Sequence, residues 1–222
     1  MTNIFSLSCS RIFALALLLA IPGKDALGQQ LEQASAGASA QPAAKVPAIP
    51  DVTVLDQDNR KLHFYTDLVQ GKTVAINFIF TTCTTICPPL TANFAKIQKT
   101  MLARGETGLQ LISVSVDPQN DTPERLKSYA ALFRAKPGWA FVTGERADLE
   151  KIWKAFNINL SSKQDHPPTV AIGNEPQRVW VYASGLTTAD KLMGAITPVL
   201  GEKKSAPLAN TEAAKSPGSK LP

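Results

Sequence analysis

Residues 74–80, VAINFIF, read as an apolar run rich in β-branched and aromatic residues. A run of that length and kind suits a strand buried on both faces of a sheet. Thr81 and Thr82 then lead into Cys83, three residues intervene before Cys87, and Pro88-Pro89 opens a segment in which Leu90, Phe94, Ile97 and Met101 recur at helical spacing. The cysteines therefore sit at a strand-to-helix junction. Proline is favoured in the first turn of a helix, so Cys87 is expected at or next to the N-cap. Free backbone N–H groups and the positive end of the helix dipole stabilise a thiolate there. Both thiols are expected to ionise more readily than free cysteine. Cysteines four apart on such a turn can close a disulfide or offer two soft sulfur ligands to one metal ion, and the spacing permits both.

The chain has 222 residues, 44% of them hydrophobic, enough for one domain with a full core and tails to spare. Residues 1–28 read as a secretory signal peptide. Arg11 precedes an apolar run at 12–21, and Ala26-Leu27-Gly28 supplies small residues for cleavage before Gln29. That run is about half the roughly 20 residues a transmembrane helix needs, so an exported, periplasmic protein is expected, membrane-anchored only if the leader is kept. Cys9 precedes the run and is expected to leave with the leader, which would make Cys83 and Cys87 the only cysteines of the mature chain. In an oxidising compartment such an isolated pair points to chemistry, because a staple across so short a loop restricts the unfolded chain little.

Loss of the leader removes Arg11, Lys24 and Asp25, so the net charge falls from +5 to +4. The basic residues are scattered and none interleave with aromatics, which gives nucleic-acid binding no support. Residues 29–48 are rich in Ala, Gln, Ser and Pro and read as a flexible linker; 202–222 read as a disordered tail of the same character. The folded domain is expected at 49–201.

Within it, residues 52–55 and 61–64 flank a polar turn and suggest an N-terminal β-hairpin, with His63 as a surface or packing residue. Residues 109–116 form another apolar strand, ended by Asp117-Pro118, which reads as turn chemistry. Thr122-Pro123-Glu124 then starts a helix. A short strand at 139–143, a helix carrying Leu149, Ile152, Trp153 and Phe156, strands at 169–172 and 178–182, and a helix from Thr187 or Thr188 complete the domain, with the tryptophans in its core. Asp190 is placed to complete a capping arrangement on that last helix. Buried strands joined by helices require a parallel pair, and the last two strands are close enough for a hairpin. The order is that of an α/β thioredoxin-like fold, a central mixed sheet flanked by helices.

The string FTTCTTICPPLTANF, the segment SVDPQNDTPERLKSY and the later Asp165-His166 together resemble the SCO/SenC family of copper-delivery proteins for cytochrome c oxidase. The C-x3-C-P motif departs from the C-x2-C spacing of thioredoxins, and SVDP-x2-DTP narrows the likeness. The resemblance covers about residues 52–200. It implies that Cys83, Cys87 and His166 hold a copper ion, Cu(I) or Cu(II). The partner it implies is the oxidase subunit with the copper A site, alongside a periplasmic copper donor or thiol reductase. Two thiolates and one imidazole suit Cu(I), whereas a structural zinc site takes four protein ligands. Asp165 could orient the imidazole or be a solvated loop acid.

A second reading stays open. Pro167-Pro168-Thr169 before a strand is similar to the cis-proline loop that faces the cysteines of thioredoxins, where backbone docks a partner's extended chain. On that reading the chain is a thiol-disulfide oxidoreductase in which Cys83 and Cys87 are the catalytic redox pair: Cys83 attacks a target disulfide and Cys87 resolves the mixed disulfide. A peroxidase reading lacks the proline-threonine context expected before a peroxidatic cysteine.

Overall fold

The apolar run becomes a strand, Thr73–Ile79, buried at all seven of its positions. It is the third of seven strands in the computed structural model, which describes residues 45–160, 162 and 166–201. The leader, most of the linker, the tail and Asp165 lie outside the described residues. In chain order the elements are β1 (Thr53–Asp56), β2 (Lys61–His63), α1 (Phe64–Leu68), β3 (Thr73–Ile79), α2 (Cys87–Ala103), β4 (Leu109–Ser115) and α3 (Pro123–Leu132). There follow β5 (Trp139–Thr143), α4 (Arg146–Ala155), β6 (Thr169–Asn174), β7 (Val179–Ser184) and α5 (Ala189–Leu200).

One mixed sheet runs β2-β1-β5-β4-β3-β6-β7. Strands β3, β4 and β5 are parallel, and β6 returns antiparallel to β3 and pairs with β7 as a hairpin. Two successive crossovers step the same way along the sheet, from β3 to β4 and from β4 to β5, so α2 and α3 lie on one face. The connection from β5 runs back past β4 and β3 to the antiparallel β6, and α4 lies on the other face. Ring contacts agree. Phe94 of α2 meets Trp139, and Tyr129 of α3 meets Phe141, on the face shared by Ala75, Asn77 and Ser113. On the opposite face Phe156, just past α4, packs against both Phe78 and Trp180. All three tryptophans are buried, as core residues.

Gly173 makes the last of these contacts possible. It pairs with Trp180 across the hairpin, and a Cβ on it would lie 2.5 Å from the indole ring. Only glycine lets that ring cross the neighbouring strand and reach Phe156.

Local capping explains the helix starts. Thr122 accepts from the Arg125 N–H, and Thr188 accepts from the Lys191 N–H. Asp190 sits exposed in the first turn of α5, beside the positive end of the dipole, and Thr188 is the capping residue. Helix α1 was not expected: the second hairpin arm stops at His63, because Asp51 reaches across to accept the Tyr65 and Thr66 N–H groups and the Thr66 hydroxyl. The apolar run of β3 also contains one polar residue, Asn77. Its amide is fully buried and has no hydrogen-bond partner among the described residues.

Candidate dithiol and metal site

Parallel strands β3 and β4 leave their carboxyl ends side by side, the usual place for ligands in α/β sheets. The chain runs from β3 into a tight loop in which the Cys83 N–H donates to the Phe80 carbonyl at 3.1 Å. Ile86 caps α2 with no side-chain bond, and Cys87 is its first helical residue, followed by proline. The Cys87 N–H, one of the unpaired donors of the helix start, points at Cys83 Sγ, 3.4 Å away, and the Thr85 hydroxyl lies 3.7 Å from the same sulfur.

This geometry separates the two thiols, where both were expected to ionise readily. Burial opposes ionisation of Cys83, but hydrogen bonds from Cys87 and Thr85 outweigh it, and its pKa falls below the ordinary value of 9.0. Burial pushes the Cys87 thiol strongly the other way, reinforced by its hydrogen bond to Cys83. The helix start thus serves the sulfur four residues before it. Cys83 retains 7% of its surface and Cys87 none, and both are free thiols.

His166 arrives from the loop before β6. The antiparallel register pairs Asn77 with Val170, so residues preceding Thr169 lie beside the end of β3. The His166 Nε2 is 4.0 Å from Cys87 Sγ, its ring meets Phe80 edge-on, and it is 2% exposed. Burial holds its pKa below 6.5, so the imidazole is neutral at pH 7 and carries a lone pair. Its Nδ1 is buried with no hydrogen-bond partner among the described residues. Among those residues no group of three or more His, Cys, Asp and Glu side chains is arranged to hold a metal ion as it stands. Cys83 and His166 each lie beside Cys87.

Because the folded-state pKa of His166 is lowered, the unfolded chain takes up this proton first as the pH falls. The stabilisation is complete above pH 6.5 and is lost as the pH drops below it. In the metal-free protein, melting temperature is therefore expected to fall between pH 6.5 and 5, and His166→Ala is expected to flatten that slope. Parallel profiles for wild type and variant would refute the buried neutral imidazole.

The other candidates separate clearly. His63 is exposed on the far hairpin, consistent with a surface residue. Asp117 accepts from the Asn120 amide on each carboxylate oxygen, at 3.0 and 2.9 Å, which is turn chemistry. The Pro167 carbonyl accepts from Thr169 and the Pro168 carbonyl from Gly185, so this loop's backbone is already engaged within the chain. That weakens its reading as a docking strand. One residue escaped the sequence reading: Asp121, fully buried beneath the thiol loop, which accepts from Thr81 and Ser115. The only hint was its place in SVDPQNDTP, where the following Thr122 dominated as a helix cap.

An open mixed sheet flanked by helices, with a dithiol at the end of a central strand, defines a thioredoxin-like protein. The sequence profile of SCO1/SenC matches residues 49–197, and the chain belongs to that family. It is 39% identical over 93 residues to the SCO1 protein homolog of Bacillus subtilis (strain 168), covering 41% of this chain and 47% of the relative. It is 32% identical over 111 residues to a Stutzerimonas stutzeri protein named as copper-binding, covering 50% and 52%. The matches thus span about half the length of these curated relatives.

Among solved structures, a SCO1/SenC family lipoprotein from Bacillus anthracis str. Ames aligns with a TM-score of 0.62 at 26% identity, over 72% of this chain and 99% of that one. BsSco, described as a member of the Sco family of cytochrome c oxidase assembly proteins with a disulfide switch, gives 0.60 at 27% identity, over 71% and 95%. Among the described residues no helix is long and apolar enough to cross a membrane.

Proposed function

We propose that this protein is a copper-binding chaperone that takes up copper at Cys83, Cys87 and His166 and delivers it to the copper A centre of a cytochrome c oxidase. The observation that carries this reading is the neutral, buried His166 with Nε2 4.0 Å from Cys87 Sγ, beside a second sulfur drawn to the same helix start. Two sulfurs and an imidazole form a soft donor set that favours Cu(I) over ions preferring oxygen. The copper-binding relative and the oxidase-assembly neighbour support the same cargo and the same partner. Export is supported by the leader-like sequence at 1–28 and by the lipoprotein neighbour.

As cargo, copper would replace the proton of the Cys87 thiol and be held by the Cys83 sulfur and the His166 imidazole. Three ligands leave room for an incoming thiolate from the acceptor, so the ion can pass by stepwise ligand exchange. An anaerobic Cu(I) competition titration of the reduced protein tests the reading. One copper per chain is expected, lost in Cys83→Ser and Cys87→Ser; undiminished binding in either variant would sink it.

The split between the thiols favours a second activity at the same place, thiol-disulfide exchange with the oxidase's own cysteines. An ionisable, slightly exposed Cys83 is suited to attack, and a buried, protonated Cys87 to resolve the mixed disulfide.

A further inference from the structure

Cys83 is held in place by long contacts to its own sulfur, 3.4 Å from the Cys87 N–H and 3.7 Å from Thr85. With the Cys83 N–H bond to the Phe80 carbonyl, at 3.1 Å, they fix the thiol locally, within residues 80–87. A stronger anchor lies two residues earlier. Thr81 donates its N–H at 3.0 Å and its hydroxyl at 2.6 Å to Oδ1 of Asp121, while Ser115, the last residue of β4, donates its hydroxyl at 2.6 Å to Oδ2. One carboxylate oxygen holds the thiol loop and the other holds the sheet.

Burying a carboxyl group completely is unfavourable, and desolvation raises the pKa of Asp121 despite its three donors. Its hydrogen bonds run to the thiol loop, at Thr81, and to the end of β4, at Ser115. We infer that Asp121 is a positioning residue, a staple between the end of β4 and Thr81 that sets where Cys83 Sγ stands relative to Cys87. This inference requires only that the two cysteines act together, so it stands or falls separately from the copper reading.

The dithiol–disulfide equilibrium of the full-length chain, measured in glutathione redox buffers, tests it. In that exchange the two thiols give up two protons and two electrons and join in one S–S bond, while glutathione disulfide becomes two thiols. Thr81→Val removes one donor but leaves the carboxylate and the backbone N–H. Ser115→Ala removes the matching donor on the other oxygen, away from the thiol loop. If the staple positions Cys83, Thr81→Val weakens the contact that stabilises the reduced form, and the disulfide becomes about tenfold harder to reduce, about 30 mV for a two-electron couple. Ser115→Ala should change the equilibrium less than threefold, although both variants lower the melting temperature. Asp121→Asn, which keeps the shape and an acceptor oxygen, should restore at least half of the shift in millivolts that Asp121→Ala produces. If Asp121→Ala does not fold, the threonine and serine variants decide alone. A change under threefold in Thr81→Val, or equal changes in the two hydroxyl variants, overturns the inference.

Discussion

His166→Ala is expected to weaken Cu(I) binding more than about 100-fold, because loss of even an outer partner of a metal ligand costs about 10–100-fold and a ligand should cost more. The metal-free fold should barely notice. The ring is buried, but its Nδ1 has no partner among the described residues. Removing a polar atom unpaired among those residues recovers roughly 1–3 kcal/mol, which offsets much of the lost packing against Phe80. A competition titration against a chromophoric chelator, run beside a thermal melt, separates the two quantities. Thiol-disulfide exchange should survive nearly intact, since His166 takes no part in sulfur attack. Copper affinity within tenfold of wild type would transfer the proposed activity to the dithiol alone.

Phe94→Ala is expected to have the larger effect on stability. Phe94 is fully buried on α2, seven residues after Cys87, and packs against Trp139 with ring centroids 5.9 Å apart. Truncating a buried phenylalanine costs about 3–5 kcal/mol in transfer free energy and residual cavity. For a domain of this size that corresponds to a fall of roughly 6–20 °C in Tm. Chemical denaturation should show a lower midpoint with an unchanged slope. The same truncation removes the Phe94–Trp139 contact between the dithiol helix and β5, so the reactivity of Cys83 becomes a second readout of the same packing. A loss below about 1 kcal/mol would mean that α2 is held by other contacts.

Where a residue's role depended on its neighbours in sequence, it was legible beforehand. The β-branched runs gave β3 and β4, and Thr122 and the Thr187-Thr188 pair marked helix starts, whereas His166 was singled out by the resemblance and not by its neighbours. Roles that depended on distant groups were not legible. Helix α1 exists because Asp51, 14 residues before Tyr65, accepts its first N–H groups. The unequal thiols follow from a helix donor turning back to Cys83, which spacing alone could not assign to either sulfur. Asp121 is 40 residues from Thr81, and only the pairing of β3 with β4 brings them together. Asn77 passed as part of an apolar strand because burial on both faces leaves no alternation to interrupt.

The pairing of β6 with β3 also gives the domain an uneven tolerance of changes in length. An extra residue in the turn between β6 and β7 would be absorbed at the sheet's edge, in a connection the site does not use. One inserted between His166 and Thr169 would displace the imidazole by up to about 3.4 Å, the advance of one strand residue, and could turn it toward the opposite face. Those few residues work as a ruler for the proposed site.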